Sequence, residues 1–256
     1  MRPKTQSTLS RLAFWSARAY LSAMSFLTAA KPKNWRPLIV CLAVTLFELS
    51  MISARASQAK MPGPEPWIVA ATIVRNGEYS ARGIYLSPGL IITAAHLTAN
   101  TTASDNISVH IANAALPATL LKQGDFEDVD VTLFSLDQQK LPERVGRIQM
   151  PLCQAPPWPG DAVIVVDGEH ATQSHIISPQ VLSFTQRTKF HTLIADVAST
   201  GNSGSGVFDP NRKCLLGIMS RKFTTIDGKD IAKYFVPVRE IRDFIPIELK
   251  EKVPMK

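Results

Sequence analysis

The chain has 256 residues, of which 45% are hydrophobic, enough for one sizeable domain or for two small packed ones. A formal net charge of +7 suggests a nucleic-acid partner. However, residues 1–56 hold 8 of the 28 basic side chains and 1 of the 21 acidic ones, so residues 57–256 carry 20 of each sign. This balance argues against nucleic-acid binding by the main part of the chain.

An apolar run of ten residues, 38–47, follows the basic segment near the N-terminus. Ala54-Arg55-Ala56 comes next and fits the small-x-small pattern of a signal-peptide cleavage site. Residues 1–56 are therefore predicted to be an export signal, and residues 57–65 a short linker. The alternative is an uncleaved signal anchor, which alone would bring the protein to a membrane. A span needs about 20 apolar residues, so the run is short for one. Both interpretations place the rest of the chain in a secreted or periplasmic location.

Short apolar runs bounded by turn residues continue beyond residue 66, and their regular spacing predicts strands rather than long helices. The first group of predicted strands comprises 67–74, 80–86, 90–93, 107–111, 118–121 and 131–136. The second group comprises 162–166, 180–185, 191–197, 206–208, 215–220 and 234–236. Regularly spaced short strands of this kind are typical of β-barrels or sandwiches. The two groups extend over about 66–137 and about 160–237, and a helix is predicted over 238–250.

Three short motifs contain the residue types that nucleophilic hydrolysis needs. They are Thr-Ala-Ala-His ending at His96, Asp-Val-Thr-Leu-Phe beginning at Asp130, and Gly-Asn-Ser-Gly-Ser-Gly over 201–206. A serine hydroxyl is a weak nucleophile at neutral pH. Attack on an amide therefore needs an imidazole to take its proton and a carboxylate to orient that imidazole. His96, Asp130 and Ser203 supply one group of each kind.

The glycines around Ser203 allow a sharp backbone turn, which directs the N–H groups of Gly201 and Ser203 toward a developing oxyanion. This chemistry needs no metal and no other cofactor. His170 and His175 form the one histidine pair that resembles a metal-ligand pair. No carboxylate or cysteine pattern completes such a site, so both are predicted to lie in solvated loops.

Cys153 and Cys214 are the two cysteines that remain once the predicted signal, which contains Cys41, is removed. An even pair of cysteines in an oxidising compartment is a candidate for a disulfide bond. Two buried free thiols are the alternative. No Cys-x-x-Cys pair is present that would indicate a metal or redox site.

The order of the three motifs resembles that of the chymotrypsin-like (trypsin-fold) serine peptidases, and the bacterial members similar to glutamyl endopeptidases resemble it most. The resemblance extends over about residues 66–245. It implies an all-β fold of two packed antiparallel six-stranded Greek-key barrels with a short C-terminal helix. It also implies a serine endopeptidase that acts on proteins or peptides through an acyl-enzyme intermediate. We expect a monomer.

The resemblance assigns further roles around the motifs. In this family the orienting carboxylate directly precedes an apolar run, which favours Asp130 over Asp125 and Asp128. In this family a serine at the end of one strand of the second barrel commonly donates a hydrogen bond to that carboxylate. Ser220 ends the predicted strand 215–220, so the resemblance implies the same role for Ser220. Asn202 stands where vertebrate-type zymogens keep an aspartate for a freed N-terminus, so activity is expected without a defined new N-terminus.

Counting back from Ser203 places the family's pocket base at Val197, with Ala198 beside it and Met219 on the opposite strand. None of these residues is acidic, so small to medium aliphatic substrate side chains are expected at the cleaved position, with Glu as the alternative. Arg221 begins an edge that is expected to pair with an extended substrate. An ordinary edge charge that prevents sheet aggregation is the alternative for Arg221.

Two other functions are compatible with the sequence. One is a catalytically silent trypsin-fold binding module, against which the complete set of His96, Asp130 and Ser203 argues. The other is a membrane-anchored quality-control protease, which requires the N-terminal signal to remain uncleaved. The sequence favours the exported serine endopeptidase over both.

Overall fold

The computed structural model describes residues 66–76, 79–99, 102, 105–168, 170–195 and 202–256. The predicted export signal and linker, residues 1–65, lie outside the described residues. Both barrels belong to one compact unit, Pro62–Lys256. In the described part of this unit, no helix combines the length and the apolarity that are needed to span a bilayer.

The first barrel consists of six antiparallel strands, which are β1 (Ala71–Asn76), β2 (Tyr79–Tyr85), β3 (Leu90–Thr93), β4 (Ile107–Ile111), β5 (Ala114–Gln123) and β6 (Thr132–Leu136). Their order is β1-β2-β3-β6-β5-β4, and pairing of β1 with β4 closes the barrel. Ile107, Val109 and Ile111 are buried and the residues between them are half-buried, as in a strand with one face on a core. Ala112 and Asn113 join β4 to β5 with positive φ values of 48° and 70°, which suit a two-residue hairpin turn.

The second barrel repeats this architecture with the strands β7 (Ala162–Asp167), β8 (His170–Ile177), β9 (Leu193–Ala195), β10 (Gly206–Asp209), β11 (Cys214–Thr224) and β12 (Asp230–Pro237). Their order is β10-β11-β12-β9-β8-β7, and β10 pairs with β7 to close the barrel. Phe208, Ile218 and Phe235 are fully buried in its interior. The predicted all-β class with two six-stranded antiparallel barrels is confirmed.

The described residues also include five short helices, which are α1 (Pro66–Ala70), α2 (Glu143–Gly146), α3 (Phe184–Lys189), α4 (Val238–Phe244) and α5 (Ile247–Lys250). The helix predicted over 238–250 is divided between α4 and α5. Pro246 separates them because proline has no amide hydrogen with which to continue a helix. Ile241 and Ile245 are buried against the barrel and Phe244 is half-buried.

Two stretches of barrel two differ from the sequence prediction. Residues 180–185 do not form a strand, because they belong to a 3-10 turn and to the start of α3. Ser183 and Gln186 form a capping box, which is a local signal for a helix start. His170 and His175 lie in strand β8 rather than in loops. The prediction missed this strand because its side chains are mostly polar and exposed, so it lacks an apolar run.

The predicted first strand, 67–74, also begins later than expected. Residues Pro66–Ala70 form α1, in which proline occupies the first turn, where its missing amide hydrogen costs nothing. Trp67 is buried and its ring lies 5.9 Å from that of Phe208, so α1 packs onto barrel two. The apolar run 67–74 therefore forms the end of a helix and the start of a strand.

A disulfide joins Cys153 to Cys214, with a Cα–Cα distance of 5.1 Å. It connects the segment between the barrels to the start of β11. Backbone hydrogen bonds reinforce the connection, because Cys153 N donates to Leu215 O at 2.9 Å and Leu215 N donates to Pro151 O at 2.8 Å. The inter-barrel segment is thereby fixed against barrel two.

Candidate active site

The fold brings the three sequence motifs together at one edge of the barrels. β3 and β6 are antiparallel neighbours with Thr93 opposite Thr132. The 3-10 turn after β3, which carries His96, therefore lies beside the loop before β6, which carries Asp130. Ser203 belongs to barrel two and precedes β10. Residues that are far apart in the sequence thus meet across the two barrels.

His96 hydrogen-bonds to both other candidates. Its Nδ1 lies 2.8 Å from Asp130 Oδ2, and its Nε2 lies 3.0 Å from Ser203 Oγ. The carboxylate accepts the Nδ1–H proton, so Nε2 presents its lone pair to the serine hydroxyl. The imidazole is in the orientation and tautomer that a general base for Ser203 requires.

Asp130 is buried, with 2% of its surface exposed, and is surrounded by hydrogen-bond donors. The backbone N–H of His96 donates to its Oδ1 at 2.9 Å, and the hydroxyl of Ser220 donates to its Oδ2 at 2.6 Å. Burial by itself raises the pKa of Asp130, but the hydrogen bonds from His96 and Ser220 outweigh burial and hold the pKa below its usual range. The side chain is therefore a carboxylate at neutral pH and can orient the imidazole.

Ser220 contacts both ends of this hydrogen-bonded series. Its hydroxyl donates to Asp130, as described above, and its backbone carbonyl accepts a hydrogen bond from Ser203 Oγ at 3.1 Å. The Ser203 hydroxyl has one proton and two acceptors, His96 Nε2 and Ser220 O. The resemblance implied the first contact of Ser220, whereas its carbonyl contact depends on the position of β11 and has no sequence signal.

The backbone around Ser203 forms a tight turn. Ser205 N donates to Asn202 O at 3.0 Å, and Gly204 N donates to Met219 O of β11 at 2.8 Å. Gly204 has a φ of +84°, and a Cβ added to it would lie 1.9 Å from Arg82 O. Only glycine fits here, because a side chain meets both an unfavourable φ and the backbone of barrel one.

Some predicted site residues lie outside the described residues. These are Gly201, the predicted partner of Ser203 in the oxyanion hole, and the predicted pocket residues Val197 and Ala198. Met219 is described and buried, and it lines a cavity of about 230 Å³ beside Ser203. Asn202, Ser220, Arg221, Lys222 and Lys233 also line this cavity, so the described part of its wall combines one apolar side chain with polar and cationic ones. Lys222 is ion-paired with Asp230 at 2.9 Å.

Arg221 is held between two aromatic rings, and no sequence motif indicates that these groups lie together. Its guanidinium carbon lies 3.8 Å from the ring centroid of Phe126 and 4.5 Å from that of Phe190. Arg221 also donates to the backbone carbonyl of Phe126. The Phe126 ring in turn contacts the edge of His96 at a centroid distance of 5.0 Å. Cation–π contacts therefore fix Arg221 next to the imidazole.

A second cavity, of about 520 Å³, lies on the barrel-one side of Ser203 and is lined by Ile73, Arg75, Arg82 and Leu97 among others. Ser203 lines both cavities. The serine thus lies between two depressions of the surface. Among the described residues, no cluster of three or more His, Cys, Asp or Glu side chains is arranged to hold a metal ion.

Comparisons with known proteins agree with this architecture. Solved structures with the same fold include the Rv3671c protease from M. tuberculosis in its active form, at 18% identity and a TM-score of 0.50, covering 75% of this chain and 83% of that one. They also include the MamO protease domain from Magnetospirillum magneticum, at 19% identity and a TM-score of 0.51, covering 72% of this chain and 98% of that one. Kallikrein-related peptidase 10 in complex with Zn²⁺ has 16% identity and a TM-score of 0.51, covering 70% of this chain and 93% of that one.

These structural likenesses establish the fold. The search of curated protein sequences gave no significant match. The family model described as "Trypsin-like peptidase domain" matches residues 81–218, which include the motifs of His96 and Asp130 and the segment around Ser203. The match covers more than half of the chain. The chain therefore belongs to the trypsin-like peptidase family.

Proposed function

We propose that this chain is a serine endopeptidase in which Ser203 is the nucleophile, His96 the general base and Asp130 the group that orients His96. The observation that carries this proposal is the continuous series of hydrogen bonds, at 3.0 Å from Ser203 Oγ to His96 Nε2 and at 2.8 Å from His96 Nδ1 to Asp130 Oδ2. A series of this kind converts a weak hydroxyl nucleophile into one that attacks an amide.

The proposed reaction has two stages. His96 Nε2 takes the hydroxyl proton while Ser203 Oγ bonds to the substrate carbonyl carbon, and the imidazolium then gives that proton to the leaving amine as the C–N bond breaks. The acyl group remains on Ser203 as an ester. His96 next takes a proton from water, the hydroxide attacks the ester, and the proton returns to Ser203 as the acid is released.

Two groups of backbone atoms support substrate binding in this proposal. The N–H groups of Ser203 and Gly201 are proposed to bind the oxyanion that forms at each tetrahedral step. β10 pairs with β11 only as far as Ile218, and Arg221 and Lys222 follow on β11 beyond this pairing. We propose that an extended substrate segment adds to this edge as a further strand.

Cleavage is expected after small to medium aliphatic residues. Met219 gives the cavity beside Ser203 an apolar surface, and the cation Arg221 opposes a substrate Lys or Arg by like-charge repulsion. An apolar pocket discriminates by only about 1 to 3 kcal/mol per methylene, so a broad profile is expected. Mass spectrometry of a peptide library after incubation with the chain beginning at Ser57 gives the profile.

A library profile dominated by Lys, Arg or Glu would contradict the aliphatic preference while leaving the peptidase assignment intact. A glutamyl preference is the specific alternative, because Arg221 of the same cavity attracts a carboxylate. A fluorophosphonate probe tests the assignment itself. Labelling of Ser203 is expected, and a folded protein that neither reacts with the probe nor cleaves the library would be a silent binding module.

We also propose that the protein is exported and acts outside the cytoplasm. The support is the N-terminal signal pattern together with the disulfide between Cys153 and Cys214, a bond that persists in oxidising compartments. N-terminal sequencing of the exported protein is expected to give a start near Ser57, or near Lys60 if cleavage follows Ala59. Recovery of membrane-bound protein that retains residues 38–47 would show that the signal is an anchor.

A further inference from the structure

One residue of barrel one, Arg82, is connected to both neighbours of Ser203. A Cβ added to Gly204 would lie only 1.9 Å from the carbonyl oxygen of Arg82, so Gly204 packs directly on the Arg82 backbone. The guanidinium of Arg82 forms an ion pair with Asp167 Oδ1, at the end of β7. Asp167 Oδ2 accepts a hydrogen bond from Asn202 Nδ2 at 3.0 Å. Gly204 thus contacts Arg82 directly, and Asn202 is connected to Arg82 through Asp167.

The backbone of Arg82 is held in place by neighbouring strands of barrel one. It lies inside β2, where it pairs with Ile73 of β1. Its carbonyl also accepts a hydrogen bond from the hydroxyl of Thr93, at the end of β3, at 2.5 Å. Thr93 is three residues before His96 in the sequence. The residue that anchors the Ser203 turn is therefore connected through β3 to the turn that carries His96.

The ion pair is placed to have an effect on this geometry. The side chains of Arg82 and Asp167 are 31% and 19% exposed, so solvent screens their attraction less than it screens that of a fully exposed pair. Asn202 carries no charge and makes a directional hydrogen bond to a carboxylate that Arg82 holds in place. The pair joins the barrels, because Arg82 belongs to barrel one and Asp167 to barrel two.

We propose that the Arg82–Asp167 ion pair is a positioning unit for Ser203, which keeps the turn of Asn202, Ser203 and Gly204 in register with His96. This inference rests on the proposed peptidase function. The carboxylate that fixes the turn comes from β7, and its cationic partner is a side chain of barrel one.

Substitutions that break or keep the ion pair test this role. Asn202→Asp places a second carboxylate against Asp167, and the repulsion is expected to displace Ser203. A displacement of about 1 Å costs about 10²-fold in rate, so kcat and the rate of fluorophosphonate labelling should fall about 10- to 100-fold, with KM little changed. Asp167→Asn removes the anionic partner of the pair and should also lower kcat. Arg82→Lys keeps a positive charge beside Asp167 and is expected to retain most of the wild-type rate. Arg82→Gln should lower kcat in the same direction.

The control is Asp161→Asn, which makes the same charge change as Asp167→Asn at the opposite end of β7. Asp161 accepts a hydrogen bond from Trp158 N at 2.8 Å and lines neither cavity beside Ser203, so its variant should keep wild-type kcat. Thermal unfolding of each variant separates positioning from folding. We expect the unfolding temperature of Asn202→Asp to stay near that of wild type, because the Asn202 side chain is exposed.

The outcomes separate this inference from the proposed function. If wild-type protein shows no activity that depends on Ser203, the proposed function fails and the inference fails with it. If the wild type is active and Asn202→Asp and Arg82→Gln match it, only the inference is overturned. The inference is also overturned if Arg82→Lys is no more active than Arg82→Gln, or if the unfolding temperature falls in proportion to kcat. Loss of rate in Arg82→Gln and its retention in Arg82→Lys, at constant unfolding temperature, support the inference.

Discussion

Ser203→Ala is expected to abolish peptidase activity, with a loss on the order of a million-fold in kcat. Alanine has no group that can form the acyl-enzyme, so only oxyanion binding and substrate positioning remain. The fold should persist, because Ser203 Oγ makes two polar contacts, to His96 Nε2 and Ser220 O, and neither belongs to a barrel core. The measurement is hydrolysis of the best library peptide, together with thermal unfolding followed by circular dichroism.

Ser205→Ala is the matched control, since Ser205 is the second serine of the same motif. Its hydroxyl is buried and accepts a hydrogen bond from Asn202 N at 3.2 Å. Loss of one such hydrogen bond costs about 1 kcal/mol, so this variant should lose no more than about tenfold in kcat. Residual activity of Ser203→Ala above about a tenth of wild type would mean that another residue is the nucleophile.

Asp130→Asn is expected to lower kcat by about 10⁴-fold at neutral pH while the protein remains folded. The side chain of Asp130 accepts hydrogen bonds from His96 Nδ1, from His96 N and from Ser220 Oγ. An amide has one acceptor oxygen and one NH₂ donor, so it cannot satisfy all three donors. When the NH₂ group faces His96, Nδ1 must become the acceptor and Nε2 carries the proton. His96 can then no longer take the proton of Ser203.

Asp125→Asn and Asp128→Asn are matched controls for this prediction, because the sequence places all three aspartates in one acidic stretch. Both control residues are exposed, whereas Asp130 is 2% exposed. Each control should retain kcat within about threefold, since the charge of an exposed group is screened by solvent. A large loss in either control, with Asp130→Asn near wild type, would move the orienting role to that residue. Peptide hydrolysis at pH 7 gives the comparison.

Short-range sequence patterns were sufficient to predict two groups of strands and to nominate His96 and Ser203. The family resemblance added the two barrels and the choice of Asp130 among three nearby aspartates. Each candidate is next to a strand whose apolar residues identify it, and glycines mark the turn at Ser203. The strand prediction was wrong in two places, where the local sequence pattern does not match the structure that tertiary pairing produces. β8 is polar on most of its length, so its strand character comes from pairing with β7 and β9. The apolar residues near 180–185 belong to a capped helix.

The sequence by itself determined which residue types lie in which motif, because turn glycines, apolar runs and alternating side chains act over a few residues. The tertiary structure decided which of these groups touch. His96 is 34 residues from Asp130 and 107 residues from Ser203, and barrel closure brings them within hydrogen-bond distance. The carbonyl contact of Ser220, the place of Arg221 between Phe126 and Phe190, and the link from Arg82 to Asn202 depend on strand register and barrel packing. Contacts of this kind join distant segments, so no local pattern specifies them.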